Sequence, residues 1–303
     1  MKVLLSRLRP SLRLLSAALF VALALPSPTA GGNATTVLLA GDIADGTPES
    51  READTAALVA ARRGLVVTAG DNAYDSGTYE EFLTKYDPTW GRFLARTWAT
   101  PGNHEYYTPG AAGYFRYFGE RAGPPGRGYH TFRAGTWRVV SLDSEGCKAP
   151  GGCGPGTAQH TWLKRLLART TERCTLAVWH SPRFSSGYHG DEPRVAPLLQ
   201  LLYRDGAEIV VNGHEHWYER LAPARPDGRV DGRHGIRQFV VGTGGAELRG
   251  PGESRAAHSR VFEAETWGVL QLRLREGSYS WRFLPIAGQA FTDAGSGRCH
   301  GEP

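Results

Sequence analysis

The chain has 303 residues, 41% hydrophobic and 21% charged, with 39 Gly and 19 Pro. That size allows one large domain or two small ones with full cores, and its Gly and Pro content excludes collagen-like and wholly disordered readings. The formal charge of +5 arises mostly in residues 1–30, which hold Lys2, Arg7, Arg9 and Arg13 and no acid; the remainder sets 31 basic against 30 acidic side chains, so a basic-patch case for nucleic acid fails.

Residues 1–30 open with these cations, continue with a largely apolar run over 14–25 and close on a small-residue segment before Gly31. This is the pattern of a secretory signal peptide. The run is too short for a bilayer, which needs about 20 residues, so the chain is expected to be exported without stable membrane insertion after cleavage, either secreted or periplasmic. Asn33-Ala34-Thr35 is a glycosylation sequon where the host uses one. Residues 31–303 contain no repeat or linker and are read as one domain.

Along that domain, short apolar runs at 35–40, 65–69, 174–179, 208–212 and 238–242 predict buried strands. Stretches at 51–62, 78–86, 157–169 and 193–204 predict helices between them. Hairpins turning at Gly135 and Gly277 add antiparallel strands. The alternation predicts α/β layering with mixed sheets. The four cysteines match no zinc spacing. Cys147 and Cys153 bracket a short Gly/Pro loop that a disulfide can close, and Cys174 with Cys299 would then tie the tail to the body, one of three possible pairings.

Polar residues follow the strands abruptly, behind glycine in most cases: Gly41-Asp42, Gly70-Asp71-Asn72-Ala73-Tyr74, Gly102-Asn103-His104-Glu105, Trp179-His180 and Gly213-His214-Glu215-His216. The glycines are expected to turn the chain so that the next side chain enters a shared cleft. His214 and His216, two apart, would face one side of an extended segment. A single Asp after Gly is usually a turn or cap, and a single His usually a satisfied side chain. Five such motifs together would bury much polarity with nothing to satisfy it, and a metal centre would supply the partner.

Those motifs, above all 70–74, 102–105 and 213–220, resemble the purple acid phosphatases among the calcineurin-like metallophosphoesterases. The resemblance implies a four-layer αββα sandwich, with two mixed β-sheets flanked by helices and a dinuclear metal site at the strand carboxyl ends. It implies one metal on Asp42, Tyr74 and His216, the other on Asn103, His180 and His214, and Asp71 bridging them. Ala44 stands where most metallophosphoesterases have a ligating His; purple acid phosphatases also lack that His and use a Tyr, which makes Tyr74 the discriminating residue. The leading domain of the large plant-type enzymes is expected to be missing, since the residues before the first motif leave it no room.

The expected activity is hydrolysis of phosphate monoesters by a water shared between two ions, Fe(III) with a divalent Fe, Zn or Mn. Small phosphorylated molecules are the expected substrates. His104 is the candidate proton donor to the leaving group and His189 a second, substrate-contacting candidate. Glu105 and Glu219 are candidates to orient the histidines, or to cap and face solvent. The turn at 242–245 reads as a plain glycine turn before an anion nest, and the tryptophans as core or cleft wall. A phosphodiesterase or nucleotide-pyrophosphate hydrolase on the same metals is the main alternative, and an inactive metal-binding protein the lesser one.

Overall fold

The computed structural model describes residues 34–169, 171–252 and 255–301; the expected signal segment and the sequon's Asn33 lie outside them. Two sheets form the body. The first has six strands in the order β13-β12-β11-β1-β2-β3, built from β1 (Thr35–Ala40), β2 (Leu65–Thr68), β3 (Thr97–Trp98), β11 (Gly268–Arg275), β12 (Ser278–Pro285) and β13 (Ala294–Arg298). The second has seven in the order β10-β8-β9-β7-β6-β5-β4: β4 (His130–Ala134), β5 (Trp137–Ser141), β6 (Cys174–Val178), β7 (Ile209–Asn212), β8 (Tyr218–Leu221), β9 (Arg237–Val241) and β10 (Ser259–Glu263). β1, β2 and β3 pair in parallel, as do β5, β6, β7 and β9; the flanking pairs are antiparallel.

Both faces of the central strands are apolar because both are covered. Leu176, Val178, Ile209 and Val211 join Val37, Leu39 and Leu272 in the core between the sheets. The alternate residues Ala177 and Val210 face a second core built with Leu163 and Leu167 of α5 (Ala158–Leu167) and Leu198 and Leu202 of α6 (Ala196–Arg204). The helices α1 (Glu52–Ala60) and α4 (Ala112–Phe118) bring Val59, Tyr114 and Phe118 to the first sheet's core. The result is the expected four-layer αββα sandwich.

The structure alters several boundaries. The helix expected over 78–86 is one α-turn, α2 (Tyr79–Glu81), followed by a π-helical turn, Phe82–Tyr86. It turns Phe82 and Tyr86 into an aromatic cluster with Tyr117 and Phe118. The stretch 193–204 opens with a 3₁₀ turn at Pro193–Val195 before α6. β3, β8, β10 and β13, and the helices α3 (Asn103–Tyr106) and α4, have no apolar run that marks them. β13 is the clearest case: Gly295 and Gly297 lie against the Trp281 and Tyr279 rings, where a Cβ would come within 2.3 and 2.4 Å of ring atoms. The anticipated disulfides, Cys147–Cys153 and Cys174–Cys299, are both present, the second joining the start of β6 to the tail.

Candidate metal centre

Parallel strands release their following loops at the same end, and here the two sheets do so side by side. Asp42 follows β1, Asp71 follows β2, Asn103 opens α3 after β3, His180 follows β6 and His214 follows β7. The loops are stitched together by backbone bonds: Gly41 N–H donates to Val241 across the sheets (2.9 Å), Asp42 N–H to Gly70 (3.1 Å) and Gly213 N–H to His180 (3.1 Å).

The seven ligand candidates converge in two overlapping groups. Tyr74 Oη lies 3.0 Å from Asp42 Oδ1, 3.3 Å from Asp71 Oδ2 and 3.2 Å from His216 Nε2, and His216 Nε2 lies 3.3 Å from Asp42 Oδ1. His180 Nε2 lies 3.1 Å from both Asp71 Oδ2 and Asn103 Oδ1, and ligand atoms of Asp71, His180 and His214 lie within 4.8 Å of one another. Asp71 Oδ2 thus belongs to both groups. An Ala44–Ala73 bridge sets Tyr74 against the first loop, and Tyr74 N–H donates to Ala44 at 2.9 Å.

Each carboxylate commits one oxygen to the backbone and presents the other. Asp42 Oδ2 accepts His214 N–H (2.8 Å) and Asp71 Oδ1 accepts His104 N–H (2.9 Å). The histidines are oriented by carbonyls: Nδ1–H of His180 donates to Ala69 O (2.8 Å) and that of His216 to Glu247 O (2.6 Å). Because a carbonyl only accepts, each ring keeps Nε2 for the centre.

Among the glycines expected to turn the chain, Gly70 takes the left-handed backbone (φ 87°), and the others act differently. The left-handed backbone also falls on three ligand candidates themselves, Asp42 (φ 58°), Asp71 (φ 49°) and His214 (φ 72°), a costly conformation for non-glycine side chains that concentrates at functional sites. Gly102 and Gly213 instead permit close approach: a Cβ there would come within 2.2 Å of Asp71 Oδ1 and 2.5 Å of Asp42 Oδ2. His214 and His216 reach different groups through this bend rather than through strand alternation.

Glu105 and Glu219 do not touch the histidines. The buried Glu105 carboxylate accepts N–H groups of Asp71 (3.1 Å), Asn72 (2.7 Å), Ala73 (3.4 Å) and Gly102 (2.6 Å), fixing the loops that carry Asp71 and Asn103. Glu219 accepts Ser186 N–H (3.2 Å) and Oγ (2.5 Å) in the loop before His189. The 242–245 turn is a packing element: Gly242 and Gly244 N–H donate to Trp217 and Gly41 carbonyls, so they are not free for an anion. Trp90, Trp137, Trp179 and Trp217 are fully buried core.

Charge in the centre is unbalanced. Burial raises the Asp71 carboxyl, but the His180 charge and hydrogen bond prevail and hold it well below the usual carboxylate range. Burial lowers His180, yet Asp71 and then Asp42 carry it up to about 10. Burial and the His180 charge push His214 down. Burial, then Asp42 and Asp71, push the Tyr74 hydroxyl well above its ordinary value, and burial with the Asp71 charge raises Glu105 to about 7. A cluster of buried acidic groups that forces a proton onto a buried imidazole is a cluster that attracts cations.

The two outer histidines flank this centre. His104 Nε2 is 3.8 Å from Asp71 Oδ2 and its Nδ1 is 2.5 Å from Asp75 O. His189 packs against His214, ring centroids 4.4 Å apart, and its Nδ1 is 3.3 Å from the buried Glu215 Oε2. Glu215, which holds His189, escaped the sequence reading, although its place between His214 and His216 marks it as near the centre.

The calcineurin-like phosphoesterase family matches residues 18–218. Purple acid phosphatase 15 of Arabidopsis thaliana is 31% identical over 161 residues, 47% of this chain and 29% of that protein. An acid phosphatase of Aspergillus ficuum is 34% identical over 77 residues, 24% of this chain and 12% of that protein. The chain therefore matches about a third or less of these relatives' lengths. A purple acid phosphatase from yellow lupin seeds shares the fold at a TM-score of 0.67 and 18% identity, over 87% of this chain and 53% of that one. The Plasmodium inner-membrane-complex anchor GAP50 does so at 0.66 and 12%, over 90% of each. By the family match the chain belongs to the calcineurin-like phosphoesterase family, within which it is similar to purple acid phosphatases.

Proposed function

We propose that the protein is an exported phosphatase that hydrolyses phosphate monoesters at a dinuclear metal centre held by Asp42, Asp71, Tyr74, Asn103, His180, His214 and His216. The observation that carries the reading is the meeting of Tyr74 Oη with Asp42, Asp71 and His216 at 3.0–3.3 Å. Ligand atoms bonded to one ion at about 2.0–2.2 Å lie about 3.0–3.5 Å apart, so the donor set fits a cation there. A second fits among Asp71, Asn103, His180 and His214. The phenol oxygen favours a hard ion such as Fe(III), and the imidazole-rich set a divalent Fe, Zn or Mn. Two disulfides support an oxidising compartment, and the family supports the dinuclear centre.

When bound, the ions supply positive charge to the phosphate oxygens and acidify a water for attack on phosphorus. The chain's own part is orientation and proton delivery. Asp71 draws both ligand groups together through one oxygen, with the other tethered to His104 N–H. The Asp75 carbonyl fixes the His104 proton on Nδ1 and frees Nε2, whose imidazolium form donates to the leaving oxygen. His189, braced by Glu215, contacts the ester from the His214 side.

The test is metal content and a visible spectrum of the purified protein, with turnover of 4-nitrophenyl phosphate and bis(4-nitrophenyl) phosphate from acid to neutral pH. The expected result is iron with a second metal, a visible band that Tyr74→Phe abolishes, and preference for the monoester at acid pH. A colourless zinc or manganese protein preferring the diester would refute the monoesterase reading. An active Asp71→Ala variant retaining both metals would refute the bridge.

A further inference from the structure

We propose that Lys148 is a specificity residue: its ammonium receives a second anionic group on the substrate, so that the site favours monoesters whose leaving part carries a further phosphate or carboxylate. The inference rests on the phosphatase reading for its substrate, and on the structure alone for the position of the charge.

The position follows from the sheet. β5 and β6 are parallel with Ser141 opposite Val178, so the loops after them emerge side by side. The loop after β6 carries His180 and Ser181. The loop after β5 turns at Asp143, whose Oδ1 accepts the N–H groups of Glu145 (3.0 Å) and Gly146 (2.9 Å), and the Cys147–Cys153 disulfide closes it around Lys148. Ser181 N–H donates to Ser144 Oγ at 3.0 Å, tying the two loops together.

Within this frame Lys148 Nζ lies 2.9 Å from Glu145 Oε1 and donates to Ser181 Oγ at 3.0 Å. Glu145 Oε1 also accepts the hydroxyls of Ser181 (3.0 Å) and Ser144 (3.2 Å). An ammonium has three hydrogens; these contacts use two, and the side chain keeps 26% of its surface open. A lysine usually loses much rotamer freedom on binding an anion, but here that freedom is already spent on Glu145 and Ser181, so a ligand meets a preorganised charge. A phosphate on the centre would lie beside His180, and the ammonium is bonded to Ser181, the next residue, which is the side from which a second anion of the substrate would meet it.

The rival role is a pin that merely holds Ser181 and the His180 loop, which would act on every ligand alike. The test measures calorimetric binding of methylenediphosphonate, which is not hydrolysed at its P–C–P bridge, and of orthophosphate to the metal-loaded wild type, Lys148→Met, Lys148→Gln and Lys148→Arg. The expected result is about tenfold weaker diphosphonate binding in both neutral variants, little change for orthophosphate, and recovery in Lys148→Arg. Equal weakening of both ligands, or of neither, overturns the proposal. Turnover of 4-nitrophenyl phosphate by the wild type is read separately: an inactive wild type showing the Lys148-dependent difference would sink the phosphatase reading and leave the anion contact standing.

Discussion

Replacing Glu105 by Gln tests whether the centre is held by one buried carboxylate. Glu105 Oε1 accepts the N–H groups of Asn72 and Ala73, and Oε2 those of Asp71 and Gly102. A glutamine keeps one acceptor oxygen; whichever way it flips, its NH₂ faces two backbone N–H groups that then have no acceptor. At about 1–3 kcal/mol for each buried donor left unsatisfied, the loss is about 2–6 kcal/mol, reduced because a neutral amide costs less to bury than a carboxylate. A net destabilisation of about 3 kcal/mol is expected. The same change frees the loop that aims Asp71, so metal content per chain should fall with stability. Urea unfolding gives the first quantity, read as a shifted midpoint at constant slope, and metal analysis gives the second. A variant that unfolds at the wild-type urea concentration and keeps its metals would refute the reasoning.

Removing the His104 imidazole in His104→Ala should slow an alkyl phosphate about a hundredfold but 4-nitrophenyl phosphate less than about tenfold, because a good leaving group needs little protonation; equal losses in kcat would argue against proton donation. Glu208, raised to about 8 from 4.5 chiefly by burial, holds its proton in the folded chain over a range where the unfolded chain has released it. Stability should therefore fall by several kcal/mol, on the order of 5, as pH rises from about 4.5 to 8, and Glu208→Gln should flatten that slope in pH-dependent urea titrations. A slope unchanged in the variant would assign the effect elsewhere. Cys174–Cys299 closes a far longer loop than Cys147–Cys153, with separations of 125 and 6 residues. Replacing the first pair by serine should cost about 5 kcal/mol and the second about 2.5, and the reverse order in urea midpoints would contradict the chain-entropy account.

Much of the site was legible in the sequence because its residues sit at strand ends, where apolar runs stop and polar side chains begin. Asp42, Asp71, His180 and His214 all follow strands whose runs are unmistakable, and Tyr74 stands at a fixed distance from Asp71. The roles of the supporting residues were not legible. Glu105 looks like a partner for histidine from its place beside His104, yet its oxygens are filled by four backbone amides of another loop and its own. Glu215 and Lys148 acquire their partners, His189 and Ser181, from segments 26 and 33 residues away.

The sequence by itself determined the layered α/β class, the strands buried on both faces and the set of polar residues at the strand ends, while of three possible cysteine pairings the tertiary structure selects Cys147–Cys153 and Cys174–Cys299. Periodicity and composition express those features locally: a strand covered on both faces must be apolar throughout, and the residue that ends the run must be able to face the cleft. Only the tertiary structure decided which donors share a group, which oxygen of each carboxylate faces inward and which residues take the left-handed backbone. Those depend on two sheets delivering their loop ends to the same place. Asp71 meets His180 and Tyr74 meets His216 because β2 lies in one sheet and β6 and β7 in the facing one, and no single stretch of chain contains that fact.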